Sequence, residues 1–336
     1  MKKVLLVALL AAAEFASAAD SVSLFGTVDA GLSNTKAVGA STSTTSFTSG
    51  GMTTSNWGVK GSQDLGAGST AFFEVSSFFN VGTGATAGGT TTNLFARSSF
   101  VGLANKDLGS IKLGRDINPS FLPTILFNAF GDSSVYSPLW HATYFGGNNP
   151  PSTAIYNDTA WDNSVTYTTP TIGGVTASAM GSHNTTGGTN SGGNAFYNAG
   201  PLSLTAYYQR TEINSSGSFQ TNIYTNAKPS DAYGVGASFD AGVAKVFATY
   251  QDAKDLSLNV DAKTYQVSTA VPVGRGNALA EYANTKYNTA TTYAETMVGY
   301  DLPLSKKVDV YANAGRFTQT SLSNGQIYGA GLRVRF

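Results

Sequence analysis

The chain closes with Tyr328-Gly329-Ala330-Gly331-Leu332-Arg333-Val334-Arg335-Phe336, a stretch whose side chains alternate in polarity. In an extended strand, odd and even positions point to opposite faces. One face therefore carries Tyr328, Leu332 and Phe336, and the other carries Arg333 and Arg335. In a soluble sandwich the apolar face would meet a core, whereas in an outer-membrane barrel it faces lipid and the charged face lines a wet interior.

The same alternation recurs upstream from this segment. Lys245 alternates with Ala244 and Val246, and Glu281 and Glu295 likewise stand between apolar or aromatic neighbours. Glu74 alternates inward beside Phe73 and Val75. Charges on such a face are tolerable only when they meet water, so we predict that Glu74, Lys245, Glu281, Glu295, Arg333 and Arg335 face a water-filled lumen.

The N-terminus has the three parts of a secretory signal peptide. Lys2 and Lys3 precede an apolar run over residues 4–13, and the small residues Ala16-Ser17-Ala18 follow. Glu14 interrupts the run well before the roughly 20 apolar residues that a transmembrane helix needs. We predict that residues 1–18 are a signal peptide and that residues 19–336 form one β-barrel domain.

The composition of the remaining chain favours a membrane barrel. No comparably long apolar segment follows, so a membrane-embedded chain of this kind must cross as a closed β-barrel. Charged residues make up 12% of the sequence, against about 25% in a typical soluble domain. Glycine and aromatic residues are correspondingly frequent, with Gly 38, Tyr 17 and Phe 19.

Charge and cysteine content exclude several classes of site. The chain has no cysteine, which excludes disulfides, thiolate metal sites and cysteine nucleophiles. Its formal net charge of zero is unlike the basic surface that nucleic-acid binding requires, so we expect no nucleic-acid partner.

The number of strands follows from the connections between alternating segments. Two classes of connection alternate along the chain, seven short turns and eight loops, which together imply an all-β fold of sixteen antiparallel strands. The short turns fall at residues 64–68, 105–109, 170–174, 199–202, 240–243, 272–277 and 302–308. The loops fall at residues 34–53, 80–93, 116–160, 184–193, 213–230, 253–260, 287–291 and 320–324. Residues 40–54 and 82–92 are rich in Ser, Thr and Gly and are interpreted as flexible exterior loops.

Several motifs resemble those of a known family. Trp57-Gly58-Val59-Lys60-Gly61, Leu113-Gly114-Arg115 and Gly331-Leu332-Arg333-Val334-Arg335-Phe336 are similar to motifs of the betaproteobacterial general porins, the trimeric sixteen-stranded outer-membrane porins of Gram-negative bacteria. Further similar motifs occur in the same order from residue 22 to the C-terminus.

The resemblance implies a transmembrane barrel in outer-membrane lipid, forming a homotrimer in which loop 3 folds into each pore. It implies passive diffusion of small hydrophilic solutes and ions, with no cofactor and no catalysis. Phe336 would be the terminal residue that is presented to the barrel-assembly machinery.

The resemblance also implies which residues line the pore constriction. Lys60, Arg97 and Arg115 match basic positions there, whereas Asn56 stands where family members commonly carry arginine. The carboxylates Asp116 and Asp132 fall within loop 3, with Asp158 as a further candidate. We predict a basic wall facing an acidic loop, a transverse field that favours anions weakly.

Loop 3 is unusually apolar for a constriction. Phe121, Leu122, Phe127, Phe130 and Trp140 belong to a larger apolar set within it. Two interpretations are open: the set packs the loop against the inner wall, or it forms an aromatic track for ligands with apolar faces.

An enzyme and a secreted adhesin are the alternatives. The sequence lacks Gly-x-Ser-x-Gly, His-Glu-x-x-His and a phosphate-binding glycine loop. His141 and His183 have no carboxylate at close sequence spacing, so both are interpreted as loop residues rather than as bases or metal ligands. An adhesin would share the leader and the loops, but it leaves the charged face of the last strand unexplained.

Overall fold

The computed structural model describes residues 20–86, 94–145, 159–183, 188–212, 230–256 and 259–336. The signal peptide predicted at residues 1–18 lies outside this range. The described residues form one antiparallel sheet. Its strands are β1 (Ser21–Lys36), β2 (Thr44–Ser49), β3 (Asn56–Gly66), β4 (Ser69–Phe78), β5 (Ser98–Asn105), β6 (Gly109–Ile117), β7 (Ala160–Thr168), β8 (Val175–His183), β9 (Thr189–Ala199), β10 (Leu202–Thr211), β11 (Ser230–Asp240), β12 (Lys245–Asp255), β13 (Val260–Val273), β14 (Gly276–Tyr287), β15 (Thr292–Pro303), β16 (Val308–Gln319) and β17 (Gly325–Arg335).

Strand β1 closes the sheet into a barrel. Its residues 27–36 pair with β17, and its residues 21–27 pair with β3 on the other side. Each remaining strand from β3 to β17 pairs with the next one along the chain. Sixteen strands therefore form the wall, which confirms the predicted fold class.

Side-chain exposure follows the predicted alternation along the last strand. Tyr328 and Leu332 are 51% and 45% exposed on the outer surface, whereas Arg333 between Leu332 and Val334 is 7% exposed. Strands β13 and β14 show the same two-residue period, since their burial patterns alternate. One face of the wall is thus turned outward and the other lines the barrel interior.

Loop 1, which connects β1 to β3, differs from the prediction. Residues 40–54 were expected to be a flexible exterior loop, but Thr44–Ser49 forms β2 and pairs with the upper half of β1. Met52 behind it is buried. The prediction failed because the backbone N–H and C=O groups of this segment form hydrogen bonds with β1. Such pairing does not require apolar side chains in the segment. The other segment, residues 82–92, is described only in part.

The helices of the described chain are short and belong to loop 3. They are α1 (Phe121–Leu126) and α2 (Pro138–Trp140), which continues into a π-helical turn (His141–Phe145). No helix among the described residues is both long and apolar enough to cross a membrane. The largest buried cluster joins Phe130 and Tyr136 of loop 3 to inward-facing residues such as Leu279, Met297 and Phe317.

Candidate functional site: the barrel interior

A mixed-charge cluster lies on the inner wall at β3 and β4. Lys60 on β3 stands directly opposite Glu74 on β4 in the register. Arg97, just before β5, donates from Nη1 to Glu74 Oε1 at 2.8 Å. The Lys60 ammonium also lies 5.8 Å from the centre of the Phe25 ring. Lys60, Glu74 and Arg97 therefore form a mixed-charge group on a single stretch of wall.

Lys112 on β6 extends this wall and was not identified from the sequence. Its Nζ lies 3.2 Å from Asp116 Oδ2 and 4.6 Å from the centre of the Phe100 ring. The alternation of Ile111-Lys112-Leu113, in which both apolar residues point outward, was the signal that could have found it. Asp116, which was assigned to loop 3, belongs instead to β6 and pairs with the basic wall. The strand continues past its expected end because β7 keeps pairing with it at Asp116 and Ile117.

Arg115 occupies a bulge between Gly114 and Asp116. Its Nε donates to the Ala96 carbonyl at 2.6 Å, and its Nη1 lies 2.7 Å from Asp162 Oδ1. The residue is only 8% exposed. Arg115 thus braces the bulge to its neighbours, and it presents far less charge to water than Arg97, whose side chain is 31% exposed.

Most of the apolar residues of loop 3 pack against the wall. Residues with no more than 5% exposure are Phe127, Phe130, Tyr136, Leu139, Trp140 and Tyr144. Hydrogen bonds reinforce this packing: Ser120 N donates to Gln209 Oε1, and Ala129 N donates to Ser268 Oγ. These side chains are inaccessible to a solute, so the packing interpretation accounts for them and the aromatic-track interpretation does not.

Helix α1 leaves one apolar face accessible. Phe121, Leu122, Ile125 and Leu126 are half-buried, whereas Pro123 and Thr124 between them are buried. The buried side of α1 contacts β10 and β11. The accessible face therefore points away from the wall, towards the remaining space of the barrel.

Glu281 and Glu295 lie beneath loop 3 and do not face open water. Glu281 Oε1 accepts the Leu139 backbone N–H at 2.8 Å, and Glu295 Oε2 lies 2.8 Å from His141 Nδ1. Both carboxylates are 2% exposed or less. The prediction that Glu281 and Glu295 face water failed for one reason. The alternation along a strand shows which side chains point inward, but whether loop 3 covers them depends on long-range packing.

His141 is a partner of this wall, which its sequence neighbourhood did not indicate. Its Nε2 lies 3.0 Å from the Ser134 carbonyl oxygen. Burial by itself lowers the pKa of His141, but the Glu295 carboxylate and its hydrogen bond outweigh burial, so the pKa is raised above the usual histidine value. His141 therefore anchors loop 3 to Glu295, and the raised pKa favours its protonated form.

Asp29 on β1 anchors the inward part of loop 1. Its carboxylate accepts the backbone N–H groups of Gly51, Met52 and Thr53 at 2.9 to 3.1 Å. The Tyr311 hydroxyl donates to the same group at 2.6 Å. Loop 1 is thereby folded against the interior, where Ser133 Oγ of loop 3 donates to the Gly51 carbonyl.

Arg333 on β17 joins loop 1 to strands β15 and β16. Its guanidinium lies 2.8 Å from Asp301 Oδ2 and 3.2 Å from Asp309 Oδ2, and it donates to Thr53 Oγ1 at 3.0 Å. Asp132 of loop 3 accepts from the Thr53 hydroxyl at 3.1 Å. Burial raises the pKa of Asp132 above the usual aspartate value, opposed by the Arg333 charge and this hydrogen bond. Arg333 was predicted to line the lumen, but it is enclosed by carboxylates.

Of the other predicted residues, Arg335 joins this cluster through Asp309, whereas Lys245 and Phe336 lie elsewhere. Arg335 contacts Asp309 and keeps a side chain that is 39% exposed. Lys245 lies at the short-turn end of β12, 5.0 Å from the centre of the Phe247 ring. Phe336 is 45% exposed on the outer surface, and its backbone N–H donates to the Gly26 carbonyl at 3.0 Å. Asp158 lies outside the described residues.

The uncovered part of the inner wall carries the basic cluster. The described hydrogen bonds from loop 3 to the wall end on strands from β9 to β15, and others end on loop 1. None of them ends on β3–β6, where Lys60, Arg97 and Lys112 lie. The described residues contain no group of three His, Cys, Asp or Glu side chains that could hold a metal ion.

Known proteins share this architecture. The family model of the Gram-negative porins matches residues 5–322. Outer membrane porin protein 32 of Delftia acidovorans is 29% identical over 93% of this chain and 88% of its own length. The solved structure of an anion-selective porin from Comamonas acidovorans has a TM-score of 0.79 at 22% identity, covering 94% of this chain and all of that one. OmpT of Vibrio cholerae, solved in a trimer form, has a TM-score of 0.68 at 15% identity, covering 95% of this chain and 100% of that chain.

The closed sixteen-stranded wall, its charged inner face and the extent of the family match agree with one another. Sixteen strands are enough to leave an aqueous channel inside a barrel. The chain therefore belongs to the Gram-negative porin family, and it is an outer-membrane channel for passive diffusion of small hydrophilic solutes.

Proposed function

We propose that this porin is a weakly anion-selective channel whose selectivity comes from Lys60, Arg97 and Lys112. The observation that carries the proposal is their position on β3–β6, the wall that the described part of loop 3 leaves uncovered. A charge acts on a passing ion when it borders the water-filled path, where the low-dielectric wall strengthens its field.

The balance of charges on this wall supports a weak preference for anions over cations. Lys60, Arg97 and Lys112 stand against two carboxylates on the same wall, Glu74 and Asp116. The excess is one positive charge. Asn56, which stands where the general porins commonly carry arginine, faces inward on β3 and adds none. The similar Comamonas structure is described as anion-selective, which agrees in sign.

The apolar face of α1 gives the channel a second property, which concerns the kind of anion that it admits. The half-buried side chains of Phe121, Leu122, Ile125 and Leu126 would border the water-filled path, because the helix contacts β10 and β11 with its other side. The channel would therefore admit anions that carry an apolar part more readily than a fully polar constriction would.

Reversal potentials under a salt gradient test the proposed selectivity. The variant Lys60→Gln/Arg97→Gln/Lys112→Gln should shift the reversal potential towards cations with stepwise conductance preserved. The matched control, Lys106→Gln/Lys306→Gln/Lys307→Gln, removes three exposed lysines from the short turns and should leave it unchanged. An unmoved reversal potential in the first variant would show that these residues do not set selectivity.

The assembly and export of the protein are part of the proposal. Homotrimer formation is supported by the resemblance to the general porins and by the trimer form of the similar OmpT structure. Residues 1–18 would direct export, and the outward-facing Phe336 would be presented to the barrel-assembly machinery. As a channel, the protein would act without a cofactor and without covalent chemistry. Chemical cross-linking of the detergent-extracted protein should give a ladder that ends at three chains.

A further inference from the structure

Strands β2 and β3 lie end to end along the same edge of β1. Residues 30–35 of β1 pair with β2, and residues 21–27 pair with β3, whereas β17 occupies the opposite edge. Both β2 and β3 are antiparallel to β1, so they run in the same direction. They are therefore two halves of one wall strand, which is interrupted by residues 50–55. We call residues 50–55 the inward segment.

Gly50 starts the turn from β2 into the barrel. Its φ of +79° lies in the left-handed region, and a Cβ there would lie 2.8 Å from Thr54 Cα, so only glycine suits this turn. Asp29 bridges the interruption from the neighbouring strand. Its carbonyl accepts the Gly50 N–H at 2.7 Å, and its own N–H donates to Ser55 Oγ at 2.9 Å. Both ends of the inward segment are thus attached to β1.

The tip of loop 3 contacts the inward segment through three consecutive residues, Asp132, Ser133 and Ser134. Ser133 Oγ donates to the Gly51 carbonyl at 2.6 Å, and Thr53 Oγ1 donates to Asp132 Oδ1 at 3.1 Å. The hydroxyl oxygens of Thr54 and Ser134 are 3.5 Å apart. None of the hydrogen bonds described for these three loop 3 side chains ends on a wall strand. Loop 1 is therefore the support of this tip.

Strand β2 is exposed and short. Residues 44–47 are exposed, and among the described strands β2 pairs with β1 alone. On its other edge, Ser49 Oγ accepts the Val81 N–H at 2.9 Å. Elements with few buried contacts open locally at a lower free-energy cost than the core of a fold. β2 should therefore separate from its neighbour more often than the strands that are paired along both edges.

We propose that loop 1 controls the width of the channel by holding the tip of loop 3, so that separation of β2 from β1 at the exterior end lets this tip move inside the barrel. The inward segment follows β2 directly in the chain, so a displacement of β2 pulls on the contacts to loop 3. Thr53 and Thr54 are positioning residues, because they act on the channel through Asp132 and Ser134. The proposal rests on the channel function of the family and is independent of the proposed anion selectivity.

Proline substitutions in β2 test the link from the exterior. Thr45→Pro/Ser46→Pro, the β2 proline variant, replaces adjacent residues, one of which must donate to β1 because neighbouring residues of a strand donate to opposite edges. Single-channel recordings of the full chain should show transitions between conductance levels about tenfold more often than the wild type, since the loss of one or two hydrogen bonds changes an equilibrium by this factor. The matched control, Ser41→Pro/Thr42→Pro, places two prolines in the exposed turn before β2 and should behave like the wild type.

A disulfide between the two loops tests the contact itself. The chain has no cysteine. In Thr54→Cys/Ser134→Cys, the cysteine pair, the sulfur atoms replace hydroxyls that are 3.5 Å apart and must approach to about 2.0 Å. The oxidised protein should change its conductance level less often than the same protein after reduction with dithiothreitol. The control Ser134→Cys, treated with the same oxidant, should behave like the reduced cysteine pair.

Combining the two sets of substitutions measures the coupling between β2 and the tip of loop 3. When the β2 prolines are added to the cysteine pair, the disulfide should form about tenfold more slowly, because the same loss of hydrogen bonds reduces the time for which the two thiols are adjacent. The prolines of the exposed turn should leave the rate unchanged. Heat-modifiable migration in SDS confirms that each variant is folded.

Three outcomes would overturn the proposal. Equal transition frequencies in the β2 proline variant and the wild type would show that β2 does not restrain the channel. Equal rates of disulfide formation with and without the β2 prolines would show that Asp29 alone holds the inward segment. Equal transition frequencies in the oxidised and reduced cysteine pair would show that the loop 3 tip does not set the conductance. The last comparison keeps β2 intact, so it does not depend on the folding of the proline variants.

Discussion

His141 and Glu295 are 154 positions apart in the sequence, yet His141 Nδ1 lies 2.8 Å from Glu295 Oε2, and both side chains are 1% exposed. The second ring nitrogen, Nε2, faces the Ser134 carbonyl. A carbonyl oxygen only accepts hydrogen bonds, and so does an ionised carboxylate. Two acceptors facing the two ring nitrogens favour the protonated imidazolium, which donates from both, and this agrees with the raised pKa of His141.

This contact predicts that the position of loop 3 depends on pH. Because the folded-state pKa of His141 is raised, its stabilisation is fully present below the ordinary histidine pKa of about 6.5. The stabilisation is lost as the pH rises through the raised value. Single-channel recordings should show a steady conductance at acidic pH. The fluctuation of the conductance should increase as the pH becomes alkaline. The variant His141→Gln should fluctuate at every pH, because it removes the charge.

His183 offers the control for this titration, since it is exposed at the end of β8. His183→Gln should keep the pH dependence of the wild type. A pH dependence in His141→Gln equal to that of the wild type would show that another group controls the loop.

Arg333 and Arg335 should differ in their effect on stability although they are two residues apart. Arg333→Gln leaves the partly buried Asp301 without its cation and leaves Asp309 with the half-exposed Arg335 alone, so the loss of stability should be roughly 3 kcal/mol. Arg335→Gln removes a half-exposed ion pair and should cost less than about 1 kcal/mol. The temperature at which the folded band disappears on SDS gels measures both. Similar temperatures for the two variants would contradict the enclosed position of Arg333.

Gly329 should be required for the close approach of loop 3 to β17. A Cβ at this position would collide with the Tyr136 hydroxyl, whose ring is buried 6.1 Å from Tyr311. Gly329→Ala should displace Tyr136 at a cost of about 1–3 kcal/mol and increase the noise of the open channel. Gly181→Ala is the control, because its nearest neighbouring atom is 3.9 Å away. Equal noise in the two variants would show that Tyr136 adapts without loosening the loop.

The strand positions could be predicted, but the residues that anchor the loops could not. A two-residue polarity period is local, so it placed Lys245, Arg333 and Arg335 on the inner face. The anchors Asp29, His141 and Glu295 depend on contacts between segments that are far apart in the chain. Asp116 was misplaced because the strand that contains it is extended by pairing with β7, which no local pattern of β6 records.

The charged residues show the same difference between what the sequence predicts and what long-range contacts decide. Glu74 and Arg97 meet, and Lys112 lies on the same wall, because β3, β4, β5 and β6 are adjacent in the barrel, and adjacency followed from the order of strands and turns. Which of these charges meets water did not follow, since loop 3 covers Glu281 and Glu295, whereas none of its described hydrogen bonds ends on β3–β6. The sequence alone specified the number of strands, the two faces of the wall and the family, because each of these depends on short-range periodicity and motifs. Only the tertiary structure settled which charges are enclosed, because burial depends on how loops 1 and 3 fold back into the barrel.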